Sequence, residues 1–337
     1  MRSMSKNESK KTLHLFGGGS LIGVAEDIAR KAGWRVVLRT GSRFLSSLKN
    51  LAEDTLIHYG DNLDDLLERG GMPEDGDIGF SFSAPWIFTQ KTIEIFKHNL
   101  FNIHNQPLPK FRGGGGSSWQ ILMNERSAGV CIHRITSKVD VGEIYARVNF
   151  DIPNNLKYPF EFEDYVGIQA KEVMQNFLPK LLNGEALSPE RSVGFESNSE
   201  YWPRLSTDVH GWINWAWGLN QIQLFCNAFS KPHPGAKTML NGVEVRILKF
   251  SVKNLKNKFH PFQAGLIFRK NSEGLFIAHP DGVFILHEYL TEPEGLAVRL
   301  GDRLHTPIEK INDAMAARVQ YLPSGELIKL GGQGVNS

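Results

Sequence analysis

The sequence predicts an α/β protein: a Rossmann-like, mostly parallel sheet covered by helices on both faces, followed by a smaller β-rich unit. Up to residue 104 short branched-apolar runs alternate with helical stretches, the succession that builds a parallel sheet. From residue 205 onward short apolar runs separated by turn residues follow one another, which fits a small barrel. Between the two lies a loop-like stretch over 184–206, in which Ser, Pro and Asn are common, and it sets the main boundary near Arg204. The expected division is a flexible N-terminus over 1–12, an α/β domain over 13–204 and a β-rich C-terminal domain over 205–337.

Composition bounds the function. A chain of 337 residues has room for two domains with cores of their own, and its net charge of +2 argues against a protein that coats nucleic acid through a strong basic field. Cys131 and Cys226 lie far apart in apolar runs, with no zinc-ligand spacing around them, and read as buried free thiols in a reducing compartment. No metal is expected. Residues 1–12 are polar and lysine-rich without the apolar region of a signal peptide, and no run of about twenty apolar residues exists to span a bilayer. A cytoplasmic protein without a membrane partner is the expectation.

Residues 13–16 form the first strand and enter Gly17-Gly18-Gly19-Ser20-Leu21-Ile22-Gly23, after which 24–32 has helical spacing. A strand, a glycine loop and a helix make a βα unit whose helix N-terminus can bind an anion. It is a weak dinucleotide fingerprint, because the last glycine comes one residue late and the strand over 35–39 closes on Arg39, with Arg43 beyond, instead of on an acid. A short helix over 61–69, a strand over 77–82, the segment Ser83-Ala84-Pro85-Trp86-Ile87-Phe88 and a helix over 89–97 then lead to a strand carrying Asn102 and His104. Two apart on a strand, these side chains point to one face, and Pro107 and Pro109 place them at its end. Ligands of such sheets bind at the carboxyl ends of the strands.

After this loop a helix over 118–123 and a strand over 129–135 are expected, then Asp140 in an Asp-x-Gly turn, Asp140-Val141-Gly142, able to bring a carboxylate back toward the Asn-His pair. A carboxylate beside an imidazole favours the charged ring and can relay a proton. Phe162, Val166, Ala170, Val173, Phe177 and Leu181 recur at helical intervals in a long amphipathic helix over 160–182. In the C-terminal part a helix over 218–229 precedes a hairpin signalled by Asn241-Gly242, and strands are expected over 265–268, 275–278, 283–289 and 297–300. His58, His133, His210 and His233 have no partner pattern and read as structural or solvent-facing. Trp202, Trp212, Trp215 and Trp217 could stack a nucleotide base, although such a cluster is more often core.

Asn102-x-His104, then Leu108-Pro109-Lys110-Phe111-Arg112-Gly113, Ala128-Gly129-Val130 and Asp140-Val141-Gly142, in this order and spacing, resemble the catalytic core of the folate-dependent formyltransferases. Residues 205–251 resemble, and the later strands more loosely, the C-terminal, OB-like domain of methionyl-tRNA and some sugar formyltransferases. The resemblance implies transfer of a formyl group from N10-formyltetrahydrofolate to an amine. It implies that Asn102 and His104 stabilise the oxygen of a tetrahedral intermediate and that Asp140 orients His104 and helps to remove the amine proton. It also implies that Trp86, Ile87 and Phe88, with backbone groups of Thr136, Ser137, Lys138 and Val139, hold the folate. Gly19, Ser20, Gln106 and Arg112 are the implied acceptor contacts, unless the glycines serve only the tight turn. The four glycines of 113–116 allow either close approach of a ligand or simple flexibility.

The resemblance leaves three acceptors. A ribotide enzyme of the family has no C-terminal barrel, and a tRNA enzyme should show a basic surface that the C-terminal part, only mildly basic, does not display. The expected acceptor is therefore a nucleotide-linked amino sugar, a small-molecule precursor of a surface glycan such as lipopolysaccharide. Methionyl-tRNA formyltransferase, which would add nucleic acid as a partner, stands second. A catalytically silent nucleotide- or folate-binding protein stands third, and a homodimer is left open.

Overall fold

The computed structural model describes residues 10–190, 197–255, 257–292 and 295–330. Of the flexible N-terminus expected over 1–12, residues 1–9 lie outside the described residues, and Thr12 already opens the first strand.

Strand β1 (Thr12–Gly17) is buried along its whole length. Its Leu13 and Leu15 join one core cluster and Phe16 another, so alternate side chains of a single strand serve both faces of the sheet. Helix α1 (Leu21–Lys31), β2 (Arg35–Thr40), β3 (Leu56–Tyr59), α2 (Leu63–Arg69), β4 (Ile78–Phe82), α3 (Gln90–Ile95) and β5 (Leu100–His104) follow in turn. These five strands are mutually parallel in the order β3-β2-β1-β4-β5. The loops after β1 and β4 and the end of β5 at His104 therefore leave the sheet at one edge. Two-residue β6 (Arg112–Gly113) and α4 (Gly116–Leu122) lead to β7 (Ser127–Arg134) and β8 (Ile144–Asp151), which extend the sheet antiparallel beyond β5.

Helix α5 (Pro159–Leu182) opens on proline, where a missing N–H breaks no helical bond, and the Glu161 carboxylate accepts from the Tyr158 amide at 3.0 Å. Its Phe162, Val166, Ala170 and Phe177 cover one face of the sheet together with Ile22, Ala25 and Ala29 of α1. Leu63 and Leu67 of α2 and Ile93 of α3 cover the other. Arg39 is fully buried at the end of β2: it donates to the Leu66 carbonyl (3.1 Å) and the Gly71 carbonyl (2.7 Å) and meets His14 Nδ1 at 2.7 Å. His14 in turn lies 3.1 Å from Asp77. The residue standing where a dinucleotide fold carries an acid thus belongs to the core.

Beyond α5, β9 (Tyr201–Trp202) folds back to pair in parallel with β6. Helices α6 (Thr207–His210) and α7 (Leu219–Ala228) precede β10 (Ala236–Leu240), β11 (Val243–Asn254), β12 (Ile267–Asn271), β13 (Gly274–His279), β14 (Gly282–Glu292) and β15 (Leu304–His305). They form an antiparallel sheet in the order β12-β13-β14-β11-β10-β15. Asn241 (φ 50°) and Gly242 (φ 82°) turn the β10–β11 hairpin in the left-handed region that such a two-residue turn requires. The sheet curls until its two edges meet: the Ile267 amide donates to the Asp302 carbonyl (2.8 Å) and the Leu304 amide to the Gly265 carbonyl (2.9 Å).

Two departures from the sequence reading have local causes. Residues 297–300 form no strand, because the Arg299 amide is capped by the Asp302 carboxylate at 2.8 Å and the chain turns through Gly301 (φ 94°). The last elements were not foreseen: α8 (Ile308–Ala316) and a hairpin of β16 (Arg318–Tyr321) and β17 (Leu327–Leu330). This hairpin returns to the first domain, where a Cβ added at Gly41 would lie 2.6 Å from the Pro323 carbonyl oxygen.

Candidate active site

On β5, Phe101 and Ile103 are buried while Asn102 and His104 are half-buried, the alternation that puts an amide and an imidazole on one face. His104 Nε2 lies 3.0 Å from the Phe111 carbonyl. A carbonyl only accepts, so Nε2 carries the proton and Nδ1 is left facing Asp140 Oδ2 across 3.8 Å.

Asp140 reaches this position through a turn that only glycine permits. A Cβ at Gly142 would collide with the Arg134 carbonyl, so a larger residue would push the loop off the strand. Asp140 itself has φ 52°, a left-handed conformation that Asp tolerates better than most residues. Its carboxylate accepts from the Gly113 amide at 2.9 Å, and the Arg112 guanidinium holds the preceding Val139 carbonyl at 3.0 and 2.8 Å. Burial acts to raise the Asp140 pKa. The charge of His104, the hydrogen bond and charge of His133 and the Gly113 amide outweigh burial and hold the carboxyl well below the usual carboxylate range.

His133, read from sequence as structural, is part of this cluster. It is the register partner of Asn102 across β5 and β7, and its Nε2 lies 3.1 Å from the Asn102 amide nitrogen and 3.4 Å from Asp140 Oδ1. Its Nδ1 donates to the Arg134 carbonyl at 3.0 Å, so in the neutral ring Nε2 accepts from Asn102, whereas in the protonated ring it donates to Asp140. Two imidazoles therefore face one carboxylate. The signal that could have found His133 is pairing: once β7 is set antiparallel beside β5, the partner of Asn102 is a histidine.

The other expected site residues are placed as follows. Trp86 and Ile87 lie on the loop after β4, where the Trp86 indole N–H donates to the Asp61 carbonyl at 3.0 Å and Ile87 is 62% exposed. Phe88 points instead into the core, its ring 5.3 Å from that of Phe16. Thr136, Ser137 and Lys138 are exposed and Val139 half-buried on the loop after β7, with the Thr136 hydroxyl donating to the Lys138 carbonyl at 3.0 Å. These two loops leave the strands that flank β5. Gly19 (φ 100°) has open space around it, and Ser20 is exposed with a side chain that does not cap α1. Gln106 is buried, and its Oε1 has no hydrogen-bond partner. Arg112 completes its contacts on Ser199 at 2.8 Å, so its guanidinium is directed into the chain.

The 184–206 stretch proves to be part of the site's frame. The Arg112 amide donates to the Glu200 carbonyl (2.9 Å) and the Gly114 amide to the Trp202 carbonyl (3.1 Å), and Trp202 packs against Trp119 with ring centres 5.1 Å apart. Trp212 and Trp215 are buried, Trp215 bonding Thr238 at 2.9 Å, which is the core role foreseen as the commoner one. Cys131, opposite His104 across β5 and β7, is a buried thiol whose pKa burial pushes up to about 11. Among the described residues no group of His, Cys, Asp or Glu could hold a metal ion, and no helix is long and apolar enough to cross a membrane.

Comparison with known proteins matches two family models, "Formyl transferase" over residues 85–158 and "Formyl transferase, C-terminal domain" over 206–296. The methionyl-tRNA formyltransferase of Lactococcus lactis subsp. cremoris (strain MG1363) is 27% identical over 217 residues, which is 63% of this chain and 65% of that protein, just under two thirds of its length. Two solved structures share the fold. The N-formyltransferase from Helicobacter canadensis, in complex with folinic acid and dTDP-3-aminofucose, is 18% identical, covering 84% of this chain and all of that one (100%), with a TM-score of 0.61. The sugar 3N-formyl transferase WlaRD, in the presence of dTDP and 5-N-formyl-THF, is 20% identical, covering 85% of this chain and 99% of that one, with a TM-score of 0.62.

Proposed function

We propose that this chain, whose residues 85–158 and 206–296 match the formyl transferase family models, moves a formyl group from N10-formyltetrahydrofolate to the amine of a nucleotide-linked amino sugar. The observation that carries the reading is the meeting of Asn102, His104 and Asp140, from two separate segments, around one half-buried spot.

The residues fit a folate donor. Trp86 and the exposed Ile87 offer an apolar ledge at the carboxyl edge of the parallel strands, and the exposed loop of Thr136, Ser137, Lys138 and Val139 supplies polar backbone from the other side of β5. When bound, the donor supplies an electrophilic formyl carbon. The Asn102 amide, fixed by His133 before any ligand arrives, is the group to meet negative charge on its oxygen, and His104 can add an N–H donor at Nδ1 only after it has taken a proton. His104 Nδ1 is the nitrogen able to take a proton from the attacking amine, and Asp140, ionised at any working pH, favours the resulting imidazolium. The unpartnered Gln106 oxygen, two residues beyond His104, is an acceptor suited to an amine N–H.

The sugar acceptor is supported by the near-neutral charge of +2 and by the dTDP-3-aminofucose bound to a protein of the same fold. The second reading, methionyl-tRNA as acceptor, has the 27% identical Lactococcus relative in its favour. The test is release of tetrahydrofolate from N10-formyltetrahydrofolate with a panel of 3- and 4-amino nucleotide sugars beside charged initiator tRNA. Turnover with a sugar establishes the first reading; turnover with tRNA alone replaces it by the second. His104→Asn should lower that turnover by about two to four powers of ten, and a near-normal rate would remove His104 from the chemistry.

A further inference from the structure

Beyond residue 296, where the match to the C-terminal family model ends, the chain crosses back to the catalytic domain. The root of this segment is fixed to the C-terminal domain. The Ala317 carbonyl can only accept, so His210 Nε2 donates to it at 3.2 Å, and the Lys310 ammonium of α8 lies 4.5 Å from the Trp212 ring centre. The tip of the β16–β17 hairpin rests on the loop after β2. Pro323 is buried, and a Cβ added at Gly41 would lie 2.6 Å from its carbonyl oxygen, while one added at Gly325 would lie 3.2 Å from Arg43 Cβ. The Arg43 guanidinium carbon stands 6.0 Å from the Tyr321 ring centre and 4.5 Å from that of Phe44. A hairpin of two strands is marginally stable at best by itself, so contacts of this kind hold it in place.

The residues under the tip pack against two loops of the site. A Cβ added at Gly41 would also lie 3.0 Å from Pro85 Cγ, on the loop after β4 that carries Trp86 and Ile87. Phe44 lies across the glycine loop after β1, where a Cβ added at Gly18 would be 2.5 Å from its ring, and the Gly18 amide donates to the Phe82 carbonyl at 3.0 Å. Hairpin, residues 41–44 and both loops thus form one packed series at the carboxyl edge of the parallel strands, and close packing transmits a displacement at one end of it to the other. We infer that the β16–β17 hairpin is a strap that positions the loops after β1 and β4, with Tyr321 and Pro323 as positioning residues acting through Arg43 and Gly41. Its consequence for folate binding and turnover rests on the formyl-transfer reading above; its consequence for the loops does not.

The test is hydrogen–deuterium exchange of the full chain, with calorimetric titration of 5-formyltetrahydrofolate, in wild type, Tyr321→Ala, Tyr321→Phe and Gly41→Ala. Gly41 has φ −76° and ψ 149°, a conformation open to any residue, so its Ala variant tests the packing and not the backbone. Tyr321→Ala should speed exchange of the hairpin amides about three- to fivefold, the scale of one cation–π contact, and the amides of 17–20 and 83–88 should follow while those of β5 and β7 keep their wild-type rates. Folate affinity should weaken by a similar factor, and Tyr321→Phe, which keeps the ring, should match wild type throughout. Gly41→Ala should loosen the same segments by about tenfold or more, as an overpacked contact does; if that variant does not fold, Tyr321→Ala decides. The inference is overturned if Tyr321→Ala loosens the hairpin alone, if it loosens β5 and β7 as much as the loops, or if it leaves the hairpin unchanged. A wild type that fails to bind 5-formyltetrahydrofolate would defeat the donor reading, while the exchange rates would still judge the strap.

Discussion

Asn102 and His133 are register partners across an antiparallel strand pair, with the amide nitrogen of one 3.1 Å from Nε2 of the other. The amide is thereby held in one rotation before substrate arrives, and the histidine also faces Asp140 at 3.4 Å. Replacing His133 by Ala should reduce kcat by about 10- to 100-fold, the scale of one positioning hydrogen bond, and leave folate affinity near wild type. His133→Gln, which keeps an acceptor on a longer side chain, should recover part of the loss. A kcat within a factor of two of wild type in the Ala variant would show that Asn102 orients itself.

How Asp140 returns to the site accounts for the second prediction. Gly142→Ala places a methyl against the Arg134 carbonyl, and the loop must shift or the strand pair must open. A loss of about 1–3 kcal/mol in urea unfolding is expected, as for other overpacked sites, together with a fall in turnover. Unchanged stability would mean that the turn relaxes freely.

Asp140 makes the fold sensitive to acid in a defined direction. Its folded pKa lies below the ordinary value of about 3.9, so its ionised form stabilises the protein above that pH, and the contribution is lost as pH falls below it. Asp140→Asn should therefore lower the urea midpoint relative to wild type at pH 5, and the gap should close as the pH is taken below about 4. A gap that widens on acidification would contradict the sign.

Arg112 carries three hydrogen bonds to Val139 and Ser199 and so acts on the Asp140 loop. Arg112→Ala should lower kcat while the acceptor KM changes little. Arg112→Lys should not restore it, because an ammonium cannot reproduce the fork. A variant whose only defect is a raised acceptor KM would return Arg112 to the role read from sequence.

What could be read from sequence was local. The strand alternation around Asn102 and His104, the apolar stripe of α5 and the Asn241-Gly242 turn each lie within a few residues, and the structure shows each of them. His133 escaped because its neighbours are set by strand register and by the Asp140 loop returning to the strand end, which periodicity does not encode. The misread strand over 297–300 has the opposite cause: a run of suitable residues was overruled by a capping carboxylate three positions on. In the loop expected to hold the folate, the Phe88 side chain packs into the core against Phe16.

The pairing of β6 with β9 joins Arg112 to Tyr201 and Gly113 to Trp202. The loop that presents an amide to Asp140 is thus fastened by chain made nearly ninety residues later. During synthesis the parallel strands, β7 and β8 emerge first, and the β6–β9 pairing can form only once the chain around Trp202 has left the ribosome. A nascent polypeptide halted before that point would hold Asn102, His104, His133 and Asp140 without the strand that fastens the Gly113 loop, so this part of the frame is made only after the sheet beneath it.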